Sequence, residues 1–105
     1  SFGYSKSYIK EASNWARDNI ALESAVQTNS FAVAYFSGLI PEYDSINPDP
    51  AESLSSLDLQ DYLVIDLSHD DVDIQQALAQ NSGLEELARF ANKRADAIII
   101  YRVQH

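Results

Sequence analysis

Tyr62-Leu63-Val64-Ile65-Asp66-Leu67 is the stretch from which the fold can be read. It is short, apolar and partly β-branched, with no polar alternation, as expected of a strand covered on both faces. Asp66 is its one exception and lies near the C-terminal end. A second run, Ala97-Ile98-Ile99-Ile100-Tyr101-Arg102-Val103, has the same character, and Ser24-Ala25-Val26-Gln27-Thr28 is a weaker copy. Helical patterns lie between these runs. The alternation predicts a single three-layer α/β domain over residues 1–105, with a mostly parallel small sheet of at least three strands flanked by helices. The first two strands should be parallel, because a helix and a long crossover separate them.

Working outward, Ser5 or Ser7 can cap a first helix reaching about Asn19. Ile9, Ala12, Ala16 and Ile20, with Tyr8, Trp15 and Asn19 alongside, recur at three- and four-residue spacing and form its apolar face. Phe2 to Tyr4 reads as a tail or linker. After the first strand, Asn29-Ser30 offers an N-cap for a short helix, Phe31 to Phe36, stopped at Gly38. Phe31, Ala34 and Tyr35 are expected to face the sheet. Behind the central strand, Ser68-His69-Asp70-Asp71-Val72-Asp73 opens a helix to about Gln80, with Val72, Ile74, Ala77 and Leu78 apolar. Leu84, Leu87, Ala88 and Ala91, at 0, 3, 4 and 7, predict a further helix from Leu84 to Lys93. Its acids Glu85 and Glu86 come first and Lys93 and Arg94 last, as a helix dipole prefers.

Leu39 to Gln60 has no clear period and holds all 3 prolines. Loops of this length inside a compact domain are usually functional or mobile; here the expectation is a surface insertion, or else a binding surface, with a helical turn near Ser53 to Leu59. Within it, Asp44-Ser45-Ile46-Asn47-Pro48-Asp49 lacks the alternate oxygen ligands, central Gly and terminal Glu of a calcium loop.

The composition bounds the chemistry. At 105 residues and 46% hydrophobic, the chain can bury one core unaided. It contains no Cys, so disulfides, thiolate metal sites and a Cys nucleophile are excluded. The net charge is −9, and every Lys and Arg lies near one end or the other: Lys6, Lys10 and Arg17, then Arg89, Lys93, Arg94 and Arg102. Such a field repels phosphate backbones and anionic lipid head groups, so no nucleic-acid partner is expected. With 3 glycines, no Gly-rich phosphate cradle can be built, and no Gly-x-Ser-x-Gly elbow is present. No cofactor and no catalytic residue is expected. No apolar run reaches the ~20 residues that span a bilayer. The chain has 0 Met, which leads us to expect a piece of a longer protein.

The remaining cluster is Asp66, His69, Asp70, Asp71 and Asp73, beyond the carboxyl end of the central strand, where ligands of open α/β sheets sit. A carboxylate and a His at this spacing suit a divalent metal or acid–base work. Asp and Ser at a helix start also satisfy free backbone N–H groups and complement the dipole, and this second reading accounts for most of them.

Several segments together resemble the soluble C-terminal domain of polytopic membrane glycosyltransferases of the protein-mannosyltransferase and aminoarabinose-transferase type. They are Ile9-Lys10-Glu11-Ala12, Trp15 to Asn19, Ala25 to Asn29, Ala34 to Gly38, Asp61 to Val64, Arg89 to Asn92 and Ile99 to Val103. The resemblance spans most of the chain, through structural motifs. It implies an extracytoplasmic α/β domain attached to a membrane parent that moves sugar from a polyprenyl-phosphate donor. The implied partners are the transmembrane part of that parent and an acceptor glycolipid or protein. The family's catalytic acids belong to its membrane loops, and no position here corresponds to them. The alternative is a free-standing α/β interaction or small-ligand module, metal-responsive at Asp66 to Asp73.

Overall fold

Helix α1 (Ser7–Asn19) forms where the apolar spacing predicts, and Tyr8, Ala12, Ser13 and Ala16 are its buried residues. Ser13 fits among them because its hydroxyl donates to Ile9 O at 2.7 Å, so no polar group is left unpaired. Trp15 packs at the margin of the core, and Asn19 lies outside it. The residues described by this computed structural model are 6–40 and 46–105. The tail Phe2 to Tyr4, the cap candidate Ser5, and Asp44 and Ser45 of the loop lie outside them. At the start of α1 the cap position is Lys6, with no side-chain cap bond.

Strand β1 (Val26–Thr28) leads into α2 (Phe31–Ser37). Ser30 caps α2 by accepting from Val33 N at 3.1 Å. Gly38 ends it at φ 70°, a left-handed conformation that glycine adopts without a Cβ penalty. The inward face of α2 differs from the expected one. Val33, Ala34 and Ser37 are buried, whereas Phe31 and Tyr35 are 48% and 68% exposed. The helix lies against α1 and the sheet through its small residues and turns its rings outward.

From Ile46 onward the crossover is ordered by two 3-10 turns, Glu52–Leu54 and Leu57–Leu59. They bring Leu54 and Leu57 onto the sheet. Strand β2 (Tyr62–Leu67), helix α3 (Val72–Ala79), β3 (Leu84–Ala91) and β4 (Ala97–Val103) follow. The sheet order is β1-β2-β4-β3. β1 and β2 are parallel, as expected, but β4 is antiparallel to both β2 and β3. The sheet is therefore mixed rather than mostly parallel. The final strand enters between β2 and β3 instead of extending a parallel edge.

The segment Leu84 to Lys93 is the second correction: it is the edge strand β3, not a helix. A bulge between Glu86 and Ala88 breaks its pairing with β4. Leu87, the extra residue, and Ala88 both pack on the α1 side, with Phe90. The slipped phase turns period-two alternation into apolar positions at 0, 3, 4 and 7, which imitate a helical stripe. Its charges belong to the sheet: Arg102 reaches Glu85 across the strands at 3.2 Å, and Arg89 reaches Glu86 at 2.7 Å.

Two apolar layers result. Val64, Ile98 and Ile100 face α1 and Val33, while Leu63, Ile65, Leu67, Ile99 and Tyr101 face Leu78 of α3 and the 3-10 turns. The three-layer order holds, with α1 and α2 on one side and α3 on the other.

Polar joints set the register. Asp61 Oδ2 accepts from Ala25 N at 2.8 Å, and Ala25 O accepts from Asp61 N at 2.8 Å. One residue beyond β1, the Asn29 amide accepts from Asp66 N at 2.7 Å and donates to Asp66 O at 2.8 Å. It thereby completes the edge pairing of β2 where β1 has ended. Asn29→Ala would strand both backbone groups of Asp66. We expect a loss of about 2–3 kcal/mol, read as a lower urea midpoint with an unchanged slope.

Candidate functional site

The ends of β2 and the β3–β4 hairpin meet at one corner of the sheet. Asp66 is the last polar residue of β2, and its partner across the ladder is Ile98, which places its side chain on the α1 side. After β2, a tight turn closes with Asp71 N donating to Ser68 O at 3.0 Å. Ser68 Oγ accepts from Asp70 N at 3.2 Å, and Asp71 Oδ2 accepts from Ser68 N at 2.8 Å. His69 projects from this turn towards the hairpin.

The residue it meets is Asp96, which no local sequence pattern marks. Asp96 Oδ1 accepts from His69 Nδ1 at 2.9 Å and from His69 N at 3.0 Å. Its other oxygen accepts from Asn92 Nδ2 at 3.1 Å, while Asn92 Oδ1 accepts from Arg94 N and Asp96 N at 2.9 and 3.0 Å. The second ring nitrogen of His69, Nε2, lies 3.2 Å from Asp70 Oδ1. The imidazole thus stands between two carboxylates, one in the hairpin and one in its own turn.

These groups line a cleft of about 290 Å³ with Tyr8, Asp66 and Arg94 at its walls. Its charges pull in opposite directions. The His69 side-chain hydrogen bond, then its backbone N–H and the Asn92 amide, hold Asp96 down to about 2. Burial, and then the neighbouring Asp96 charge, push Asp66 up, with Lys6 opposing. Burial followed by the fields of Asp66 and Asp96 raises the Tyr8 phenol.

Of the five residues singled out in the sequence, the fold brings Asp66, His69 and Asp70 together and leaves Asp71 and Asp73 out of the cleft. Asp73 sits exposed in the first turn of α3, where it complements the dipole. Asp71 occupies the N-cap position but makes no forward cap bond; its carboxylate turns back to Ser68 N. Backbone capping therefore explains Asp71 only as a staple of the preceding turn. Among the described residues, no group of three or more His, Asp or Glu side chains is placed to hold a metal ion. Ser68, the hydroxyl beside His69 in sequence, accepts from Asp70 N rather than facing the ring.

No protein-family model matches the chain, and no solved structure matches it. Over 87 residues the chain is 30% identical to phospholipase B-like protein B of Dictyostelium discoideum. That similarity takes in 73% of this chain and 15% of the relative, so the chain spans a small part of that protein's length.

A further depression of about 400 Å³ lies on the α3 side, between Leu78, Leu84, Ile99 and Tyr101, with Glu86 and Arg89 at its rim. Burial, and then Glu86, raise the Tyr101 phenol. Among the described residues, no helix is long and apolar enough to cross a membrane.

Two outcomes test the corner. Asp96 has its folded pKa below its unfolded value, so its contribution to stability is present above about pH 4 and disappears as pH falls towards 2. Asp66 has the opposite sign, and its protonation on acidification favours the fold. Asp96→Asn should flatten the acid limb of a stability–pH curve, and Asp66→Asn should steepen it. Calcium or magnesium at millimolar concentration should leave the melting temperature where an EDTA control puts it. A true cation site would add about 2.7 kcal/mol at a hundredfold excess over its dissociation constant, and Asp70→Ala would remove that gain.

Proposed function

We propose that this chain is a non-catalytic accessory domain of a membrane glycosyltransferase, carried on the extracytoplasmic face of its parent. The parent would use a polyprenyl-phosphate-linked sugar. In this reading the domain packs against the parent's transmembrane part and contributes contacts to an acceptor glycolipid or protein.

The observation that supports it is where the resembling segments fall. Ala25 to Asn29 and Asp61 to Val64 supply both sides of the Asp61–Ala25 joint and the Asn29 side of the joint to Asp66. Ala34 to Gly38 supplies the buried face and left-handed end of α2. Arg89 to Asn92 and Ile99 to Val103 supply the hairpin that completes the sheet. Four of the seven quoted segments thus lie on the four strands, and the other three on the two helices that cover one side of the sheet. The corner cleft supports a structural rather than a catalytic role, since both oxygens of Asp96 and both ring nitrogens of His69 already face partners within the domain.

A second reading has one observation in its favour. The 30% identity to a phospholipase B-like protein over 87 residues points to a parent of that kind, of which this chain would be a structural segment.

The coding sequence next to this segment in its gene separates the two. A hydrophobic stretch of ~20 residues directly upstream, preceded by others, is the expected result. An upstream region that instead continues the likeness to the phospholipase B-like protein would replace the first reading with the second. In either case the purified 105-residue chain should turn over neither a polyprenyl-phosphate sugar nor a phospholipid ester. Turnover that disappears in His69→Ala would overthrow the non-catalytic assignment.

A further inference from the structure

The two faces of the sheet are covered unequally. Four strands about 4.8 Å apart span roughly 14 Å, more than the ~10 Å width of one helix. Helices α1 and α2 share one face, whereas α3 is the single helix on the other, beside the 3-10 turns. On that second face β3 adds only Leu84 to the apolar layer. Its Glu86 and Arg89 stand opposite Tyr101 and Ile99 of β4 and pair with each other at 2.7 Å. The depression of about 400 Å³ is the ground that α3 leaves uncovered between Leu78 and this ion pair.

One group in it departs from the rule for buried polar atoms. Tyr101 is only 5% exposed, yet among the described residues its hydroxyl has no hydrogen-bond partner. Buried hydroxyls are ordinarily paired, because an unmade bond leaves the cost of desolvation uncompensated. The hydroxyl is not sealed in the core either. Among the described residues, Ser53 Oγ is the side-chain atom that is both fully enclosed and unpaired, while Tyr101 lines the depression. We infer that this depression is a binding site for an uncharged small molecule, whose apolar body rests on Leu78, Leu84 and Ile99 and whose oxygen accepts a hydrogen bond from Tyr101.

The class of ligand follows from size, charge and proton position. The volume falls within the range of about 300–1,000 Å³ typical of small-molecule pockets, which combine an apolar lining with a few placed polar groups. The rim is electrically balanced, since Glu86 and Arg89 already neutralise each other. A charged ligand would have to break that pair or face a like charge. Burial, and then Glu86, raise the Tyr101 phenol, so it keeps its proton and acts as a donor. The ligand's polar atom is therefore an acceptor, such as a ketone, ester or ether oxygen. A peptide strand added along β3 is a poorer occupant, because the bulge between Glu86 and Ala88 interrupts the edge it would pair with.

The inference goes beyond the proposed function and does not depend on the identity of the parent. Absence of an upstream spanning segment would end that reading and leave this one intact. Failure to bind a neutral ligand on the α3 side would do the reverse.

The test is an amide NMR titration of the 105-residue chain with four probes: acetophenone, ethylbenzene, benzoate and benzylamine. Acetophenone should give saturable shifts at Leu78, Leu84 and Ile99 and bind more tightly than either charged probe. Tyr101→Phe keeps the ring and removes the hydroxyl. It should weaken acetophenone by roughly two- to tenfold and leave ethylbenzene unchanged, with no fall in melting temperature. Ala79→Phe, at an exposed position on the pocket wall, should block both neutral probes without unfolding the chain. Four results would overturn the inference. The first is acetophenone that leaves these amides unmoved, and the second is equal acetophenone affinity for Tyr101→Phe and the parent chain. The third is tighter binding of benzoate or benzylamine. The last is a clear loss of stability in Tyr101→Phe, which would give the hydroxyl a structural role instead.

Discussion

The pairing of β2 with β4 is the constraint from which the rest of this structure follows. Six consecutive residues of β2 face six of β4 in register, from Tyr62–Arg102 to Leu67–Ala97. Leu63, Ile65, Leu67, Ile98 and Ile100 are completely buried. A strand pair that is apolar on both faces must be covered on both, which calls for helices on either side. It also needs a strand on each flank to satisfy its outer backbone groups. β1 supplies one flank with three residues, and β3 supplies the other with a longer, bulged strand.

This constraint shapes the connections. From β2 the chain crosses by α3 to β3, leaving a gap of one strand that the hairpin return fills with β4. The return must then be held at the correct height beside the end of β2. Asp96 does this by binding the hairpin's Asn92 with one oxygen and His69 of the β2–α3 turn with the other. The hairpin includes Ala95 at φ 70°, a conformation unfavourable for a residue with a Cβ. The network around Asn92 and Asp96 holds it there. The same corner that looks like a reactive His–carboxylate site is thus also the point at which the last strand is fastened.

How much of this was legible depended on burial. β2 and β4 show their bounds in the sequence because residues covered on both faces leave an unbroken apolar run. Ser30 and Gly38 were legible because caps have local chemistry. β3 was not, because it is an edge strand whose bulge at Glu86–Ala88 shifts its phase. The signal against a helix was nevertheless present. Asn92-Lys93-Arg94-Ala95-Asp96 is a turn-rich stretch directly before a strong strand, and a strand of that character requires a neighbour. Reading that turn would also have brought Asp96 towards the end of β2. Asp66, His69 and Asp70 stand out in the sequence because they are close together in it. Asp96 comes from 27 positions beyond His69, and only the hairpin brings it near.

The outward rings of α2 show a different limit. The sequence points Phe31 and Tyr35 inward, because large apolar side chains most often belong to a core. The helix packs closely against α1, however, and small side chains permit that approach: Ala12 and Ala16 on one side, Val33 and Ala34 on the other. A larger residue at these positions would force the layers apart and open the core around Val64 and Ile100. Once Val33, Ala34 and Ser37 occupy the inner arc, helix geometry leaves Phe31, Tyr35 and Phe36 only the outer one. Their exposure follows from the close contact between the two helices. The sheet needs just one layer of small residues on this side, so the large side chains of α2 are placed by the packing of the two helices and not by the core itself.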